Sequence, residues 1–312
     1  MLRGPLGKEN YKPKFSGHDT FPFRYAWLTK LAEFINENGS KGIKEFEKNK
    51  LANVVKFGVG LNMVKAIRHW GQSTNVCDES FELTNFGKKV FAAKKAFDPY
   101  LEDISTLWIL HWTLASNPEL TTWYYAFNYH DSIMFDRDKL TNDLLSVSKF
   151  SKWKGCSDNT IKRDVDCFVR TYTVSTKKGE ITEDSLECPL AELNLISSTY
   201  SNTSYEFQRG PKPNLSFEVF EYALFDYFTE KLKGSEILTF EKIMYDFGSP
   251  GKVFQLDEKS LDNYLEQFEI RKNTSFRFIK GAGGLRQIQK VKDVSLDELL
   301  INCYLTNNKK AA

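Results

Sequence analysis

Phe57-Gly58-Val59-Gly60-Leu61-Asn62-Met63-Val64-Lys65-Ala66-Ile67-Arg68-His69-Trp70 is the stretch on which the fold assignment turns. Leu61, Met63, Val64 and Ile67 recur at helical spacing, which predicts a helix with one apolar face. Lys65, Arg68, His69 and Gln72 fall on or beside the opposite face. Gly58 and Gly60 supply a sharp turn into that helix. A short helix is expected before it, from Phe46 to Lys56, and a polar turn after it, from Ser73 to Glu79. Phe81 to Phe91 then predicts a small strand. Helix, glycine turn, basic-faced helix and strand is the order of a winged helix-turn-helix. Trp70 is read as core. Gly58-x-Gly60 is no phosphate-binding loop, because no third glycine or Gly-Lys-Ser/Thr follows.

Upstream, Met1 to Lys14 is polar and reads as a flexible arm. In Phe15-Ser16-Gly17-His18-Asp19-Thr20-Phe21-Pro22-Phe23-Arg24-Tyr25-Ala26-Trp27-Leu28, Pro22 suits a first helical turn with Asp19 or Thr20 as cap. Trp27, Leu28, Leu31, Phe34 and Ile35 give that helix its buried face, and Asn38-Gly39 ends it. His18 beside Asp19 is read as part of a capping turn rather than a catalytic pair, since neighbours in sequence need not face each other.

Downstream, Ile104 to Leu114 and Thr121 to Asn128 are apolar on all sides, as buried helices are. His111, between Leu110 and Trp112, is expected to be a hydrogen-bonded core histidine. A second helix-turn-helix pair follows. Leu140, Leu144 and Leu145 mark its first helix. A basic connector, Lys149 to Gly155, contains Lys152 and Lys154. Ser157 caps a second helix, with Ile161, Val165, Phe168 and Val169 inside and Asn159, Lys162 and Arg163 outside. Ser175 to Glu183 is polar and turn-like, and Pro189 to Ile196 predicts a short helix leading into a strand. The last third predicts helices at 217–232, 239–247 and 257–268. A hairpin then alternates through Ser275–Lys280 and Leu285–Lys290 around Gly281-Ala282-Gly283-Gly284. It places Arg277, Lys280, Arg286 and Lys290 near its tip or on one face.

The expected fold is therefore mainly α with a minor β part (α+β). It is a multi-domain helical protein with winged helix-turn-helix-like units and short β-hairpin wings. The divisions are an arm at 1–14, a winged-helix-like domain at 15–95, a helical middle domain at 96–197 and a C-terminal winged-helix-like domain at 198–312. A chain of 312 residues with 41% hydrophobic and 27% charged residues suits such a set of folded units. A net charge of +2 excludes a uniformly basic nucleic-acid coat, so any DNA surface must come from charge gathered on one face. Cys77, Cys156, Cys167, Cys188 and Cys303 form no CxxC pair, which argues against a disulfide framework or structural zinc. The histidines show no metal-ligand spacing, and neither a metal nor a cofactor is expected. With no apolar run near twenty residues and no signal-type start, a cytoplasmic location is the default.

The segments from Phe15 to Leu28 and from Gly58 to Trp70 resemble a bacterial domain-of-unknown-function family, numbered four thousand and seven. Pro189-Leu190-Ala191-Glu192-Leu193 adds a weaker match. Leu61 stands where that pattern expects lysine. Genes of this family often lie beside phosphoadenosine-phosphosulfate (PAPS)-reductase-like genes of DNA phosphorothioation and related defence systems. The resemblance therefore implies a role beside DNA modification or restriction, with a PAPS-reductase-like sulfurtransferase or other defence proteins as partners. It supplies no catalytic residue.

Three readings follow. In the first, the chain is a DNA-binding accessory protein that holds double-stranded DNA. Its contacts would be Lys65, Arg68, His69 and Gln72; Lys152, Lys154, Asn159, Lys162 and Arg163; and Arg277, Lys280, Arg286 and Lys290. Arg68 and Asn159 would reach bases. In the second it is a protein–protein adaptor of the same assembly, using the aromatic middle (Trp108, Trp112, Trp123, Tyr124, Tyr125). A nuclease ranks last, because no set of paired carboxylates and a lysine has the spacing, and no enzyme is expected.

Overall fold

Gly58, at φ 67°, closes the helix α3 (Lys50–Phe57), and the chain turns through Val59 and Gly60 into α4 (Leu61–Ser73). The structure is a computed structural model that describes residues 2–39, 42–92, 95–174, 176–177, 180–181, 188–199, 203–231 and 236–308. Val64, Ala66, Ile67 and Trp70 of α4 are buried and pack toward α1 (Trp27–Asn38). Leu61, expected inside, is 40% exposed, because it is the first helical residue and sits on the turn side of the apolar stripe.

The N-terminal part departs from expectation at three places. The helix expected from Pro22 begins at Trp27 instead. Ser16, Asp19, Thr20 and Ala26 take left-handed backbone (φ 67°, 47°, 70° and 64°), which a right-handed helix cannot pass through. The single helix expected from 46 to 56 is two, α2 (Gly42–Lys48) and α3, parted at Asn49. The strand expected at 81–91 is reduced to one bridge, between Cys77 and Leu83. The Thr84 hydroxyl accepts the Gly87 N–H and so caps a helical turn, α5 (Asn85–Gly87), which continues as a π-turn through Lys88–Ala92. A good N-cap residue there defeats the strand pattern, and among the described residues no hairpin wing forms in this part.

Helices α6 (Ile104–Ser116) and α7 (Thr121–Asn128) are buried on nearly every side, as their composition predicts. The expected arm lies against them: Leu6 is fully buried, and the Tyr11 hydroxyl donates to the Pro118 carbonyl.

Two later segments share one topology. In the first, α7 leads to β1 (Met134–Asp136), α8 (Arg137–Phe150), α9 (Asp158–Tyr172), β4 (Ile196–Ser198) and β5 (Ser204–Phe207). Between α9 and β4 lie two short paired strands, β2 (Thr176–Lys177) and β3 (Glu180–Ile181); the rest of the turn-like segment at 175–183 is outside the described residues. In the second, α10 (Phe217–Lys231) leads to β6 (Ile237–Thr239), α11 (Phe240–Tyr245), α12 (Pro250–Val253), α13 (Glu258–Ile270), β7 (Phe276–Lys280) and β8 (Arg286–Lys290). The three-stranded sheets run β1-β5-β4 and β6-β8-β7, antiparallel throughout. In each, the strand that opens the unit pairs with the one that closes it. The hairpin expected over 275–290 is present, with its strands one residue shorter at their starts; β6 and a last helix, α14 (Leu296–Asn308), complete the unit. The chain is thus mainly helical with small antiparallel sheets, and among the described residues no helix is long and apolar enough to cross a membrane.

His111 joins these parts. Its Nε2–H donates to the Val253 carbonyl at 2.8 Å, which leaves Nδ1 to accept from the Tyr172 hydroxyl at 2.9 Å. Burial holds its pKa down to about 3, against the opposing pull of the Val253 bond. The unfolded chain takes up a proton near pH 6.5 and the folded chain does not. This stabilisation is therefore complete above pH 6.5 and is lost as pH falls toward 3. From pH 7 to pH 5 the loss from His111 is about 2 kcal/mol. The urea-unfolding difference between the native protein and His111→Gln should narrow by that amount from pH 7 to pH 5, and the His111 ring resonances should stay fixed between those pH values. A ring that titrates near pH 6.5 rules this out.

Candidate functional site

Residues 15–20 are organised by contacts from two helices that lie far away in sequence. From α9, the Asp164 Oδ1 atom accepts the Ser16 N–H at 2.6 Å and lies 2.7 Å from His18 Nε2. The Arg170 guanidinium, also on α9, donates to the Thr20 carbonyl at 3.0 Å. From α4, the Trp70 indole N–H donates to the Phe21 carbonyl at 2.8 Å. Thr20 N–H donates to His18 Nδ1 at 3.1 Å, so the ring proton sits on Nε2 and points at Asp164. Both nitrogens of His18 are thus engaged, and the ring is buried. His18 pairs with Asp164 and not with its sequence neighbour Asp19.

This loop, α4 and the α6–α7 turn enclose a cavity of about 680 Å³. His18 and His69 meet edge to face there, with ring centroids 5.7 Å apart. Gly17, at φ 98°, is needed for two reasons. Its backbone is left-handed, and a Cβ would come within 2.6 Å of His69 Nδ1. His69 Nε2 lies 3.4 Å from the Ser73 hydroxyl, a distance at the limit of a hydrogen bond. Burial holds the His69 pKa down to about 4, with the neighbouring His18 ring adding to it. His69 is therefore a neutral imidazole at physiological pH. Among the described residues no carboxylate lies within hydrogen-bond distance of it, so it lacks the oriented-base arrangement of a catalytic triad. What the cavity offers is a neutral acceptor-or-donor ring, aromatic walls and a set of carboxylate and amide side chains.

The expected DNA contacts fall into three groups. On α4, Lys65 is 3.8 Å from Asp19, and Arg68 pairs with Glu47 at 2.9 Å while lying over the Phe81 ring. His69 and Gln72 line the cavity. In the C-terminal hairpin, Lys280 pairs with Glu266 at 2.7 Å, Arg286 with Asp262 and Glu258, and Lys290 with Asp293. Arg277 is exposed. The third group differs: Lys152, Lys154, Asn159, Lys162 and Arg163 are all exposed, as is Lys149 beside them. Among the described residues none of these five cations has an acidic partner within ion-pair distance. Ser157 caps α9 as expected, its hydroxyl accepting the Thr160 N–H, and Asn159, Lys162 and Arg163 share one face of the first turns.

The cavity and this cationic edge adjoin. Gly155 of the α8–α9 connector lines the cavity. Trp153 of the same connector packs on Tyr11 and Phe15, with centroids at 5.3 and 6.4 Å. Asp164 is the residue that reading the sequence missed. It lies three residues after Ile161 and next to Val165, on the face assigned to the core. A lone carboxylate on a buried stripe, with no partner on its own helix, was the available sign.

The fold and the site together define a helix-rich protein with two strand–helix–helix–hairpin units, one of which carries a basic edge without acidic partners among the described residues. The chain belongs to the family described as "Protein of unknown function (DUF4007)", which it matches over residues 15–304. It is similar to the SspB crystal structure, at 25% identity and a TM-score of 0.79, over 97% of this chain and 89% of SspB. It is also similar to the magnesium ion-bound SspB crystal structure, at 24% identity and a TM-score of 0.77, over 98% of this chain and 90% of that one. No functionally curated protein matches the chain. Magnesium is a feature of that SspB structure. Here, among the described residues, no three His, Cys, Asp or Glu side chains gather into a group able to hold a metal.

Proposed function

We propose that this chain is a DNA-binding accessory protein of a bacterial DNA modification or restriction system of the phosphorothioation type. It holds duplex DNA on the edge formed by the α8–α9 connector and the first turns of α9. Membership of the DUF4007 family and similarity to SspB support the defence setting. The observation that carries the DNA reading is the group of exposed cations at Lys149, Lys152, Lys154, Lys162 and Arg163, none of them paired with an acid among the described residues. Cations already neutralised within the protein gain less from a phosphate, whereas free ones release condensed counterions from DNA. In the unit that contains α9, the strand–helix–helix–hairpin order supports reading that helix as a winged-helix recognition helix whose Asn159 meets a base edge. In the C-terminal unit the corresponding helix is α13. It presents Glu258, Asp262 and Glu266, which consume the cations of its own hairpin. The two units share a topology, but in the first the cations of the connector and of the following helix have no acidic partners among the described residues.

Titrating a fluorescein-labelled duplex with the whole chain reads this directly. Saturable binding that weakens steeply as salt rises is expected. Absent or salt-insensitive binding, together with capture of sulfurtransferase-like partners by DNA-free protein, would replace this reading with the adaptor.

A further inference from the structure

The His18–His69 cavity and the connector edge beside it carry opposite kinds of charge. Outside, beside Gly155, are the unpaired cations of the connector. Inside, Lys14 is the sole lysine or arginine among the described residues that lines it, and it is tied to Glu119. Asp78 and Glu79 also line the cavity, with the amides of Gln72, Asn75 and Asn117. A phosphate would be repelled from such an interior and attracted to its edge. A neutral, flat group with several N–H donors meets the reverse. Carboxylate and amide oxygens can accept from it, and the uncharged His69 ring can too. Trp123, buried at the back of the cavity and 6.1 Å from the His18 ring, adds an aromatic wall. The volume, about 680 Å³, lies in the range of small-molecule sites and leaves ample room for a nucleoside. The cavity also reaches the surface, since Asn75, Asp78, Glu79 and Gly155 are exposed.

The loop that forms the cavity is costly. Ser16, Asp19 and Thr20 are held in left-handed backbone by bonds from α4 and α9, at about 1–3 kcal/mol of strain for each such residue. Strain kept in place by so many anchors, beside an open and polar cavity, is the pattern of a site that must hold its shape.

We propose that this cavity receives a single unpaired nucleobase, turned out of the DNA strand whose phosphates rest on the α8–α9 edge, with donor-rich guanine favoured over thymine. The inference rests on the DNA reading above and adds to it what the protein senses: a base free of its partner. A base leaves a duplex at the cost of its stacking and pairing, and it leaves most easily where it is mismatched or bulged. The phosphodiester stays outside on the cations, and only the ring crosses the acidic rim.

Three duplexes test this with the whole chain: one fully matched, one with a single bulged guanine and one with a single bulged thymine. The bulged-guanine duplex should bind about tenfold more tightly than the matched one, with bulged thymine between them. Ser73→Phe, which projects a ring into the cavity from the end of α4, should abolish that advantage and leave matched-duplex binding within about twofold. Leu120→Trp fills the same space from the α6–α7 turn and serves if Ser73→Phe lowers the melting temperature. Equal binding of matched and bulged duplexes, or an advantage that survives both plugs, overturns the cavity proposal and leaves the DNA reading standing. If no duplex binds, the DNA reading falls. Free guanosine then decides for the cavity by itself: saturable shifts of the His69 ring resonances, absent in Ser73→Phe, support it, and no shift up to the solubility limit overturns it.

Discussion

Asp164→Ala is expected to lower the unfolding free energy by about 3–5 kcal/mol, a large share of the stability of an ordinary domain. The carboxylate is 2% exposed, and one oxygen serves two donors, the Ser16 N–H and His18 Nε2. Removing it leaves the buried His18 Nε2–H without a partner, at about 1–3 kcal/mol, and frees the part-buried Ser16 N–H at a smaller cost. The loop is then less able to bear its left-handed residues, because the Arg170 and Trp70 bonds hold only its far end. Loosening should therefore reach residues 15–20 before the rest of the chain. Asp164→Asn keeps one acceptor oxygen and should cost roughly half as much. Urea unfolding measures both variants, and amide exchange at 15–20 reports the local part. An alanine variant within about 1 kcal/mol of the native protein would show that the His18 pair is not what fixes the loop.

That residue also marks where sequence reading stopped. Helical periodicity located α4, α6, α7, α8, α9, α10 and α13, since each has an apolar face or is apolar all round. Cap chemistry was legible at Ser157, whose hydroxyl accepts the Thr160 N–H expected of it. The hairpin β7–β8 followed from alternation around glycines. Irregular backbone was not legible. Nothing local in Ser16-Gly17-His18-Asp19-Thr20 forces three non-glycine residues into left-handed conformation; distant helices impose it. The site was hidden for the same reason. His18 gains its meaning from Asp164, 146 residues later, and a pairing of that range leaves no mark on spacing. Charge patterning gave a set of cations but not their availability. Arg68 and Arg286 look as free in the sequence as Lys162, and only the fold brings Glu47 and Asp262 to them.

That difference in availability sets the second large effect. Lys152→Glu/Lys162→Glu/Arg163→Glu should weaken duplex binding by about two to three orders of magnitude near 0.1 M salt. The slope of log K against log salt should become shallower by about three units, close to one for each phosphate that is no longer neutralised. The matching change in the C-terminal hairpin, Lys280→Glu/Arg286→Glu/Lys290→Glu, carries the same change in net charge. It should shift affinity by no more than about threefold, because Glu266, Asp262 and Asp293 already hold those cations. Equal net charge makes the pair informative. A purely long-range attraction responds alike to both, and only a localised interface separates them. The hairpin variant also needs a thermal melt, since the Arg286 guanidinium lies 3.4 Å over the Phe240 ring and contributes to packing. If the hairpin variant loses as much affinity as the α9 variant while both remain folded, DNA does not single out the α8–α9 edge. The hairpin would then have to release its own acids in order to bind, which would show as uptake of the hairpin cations by DNA at the expense of the Glu266 and Asp262 pairs.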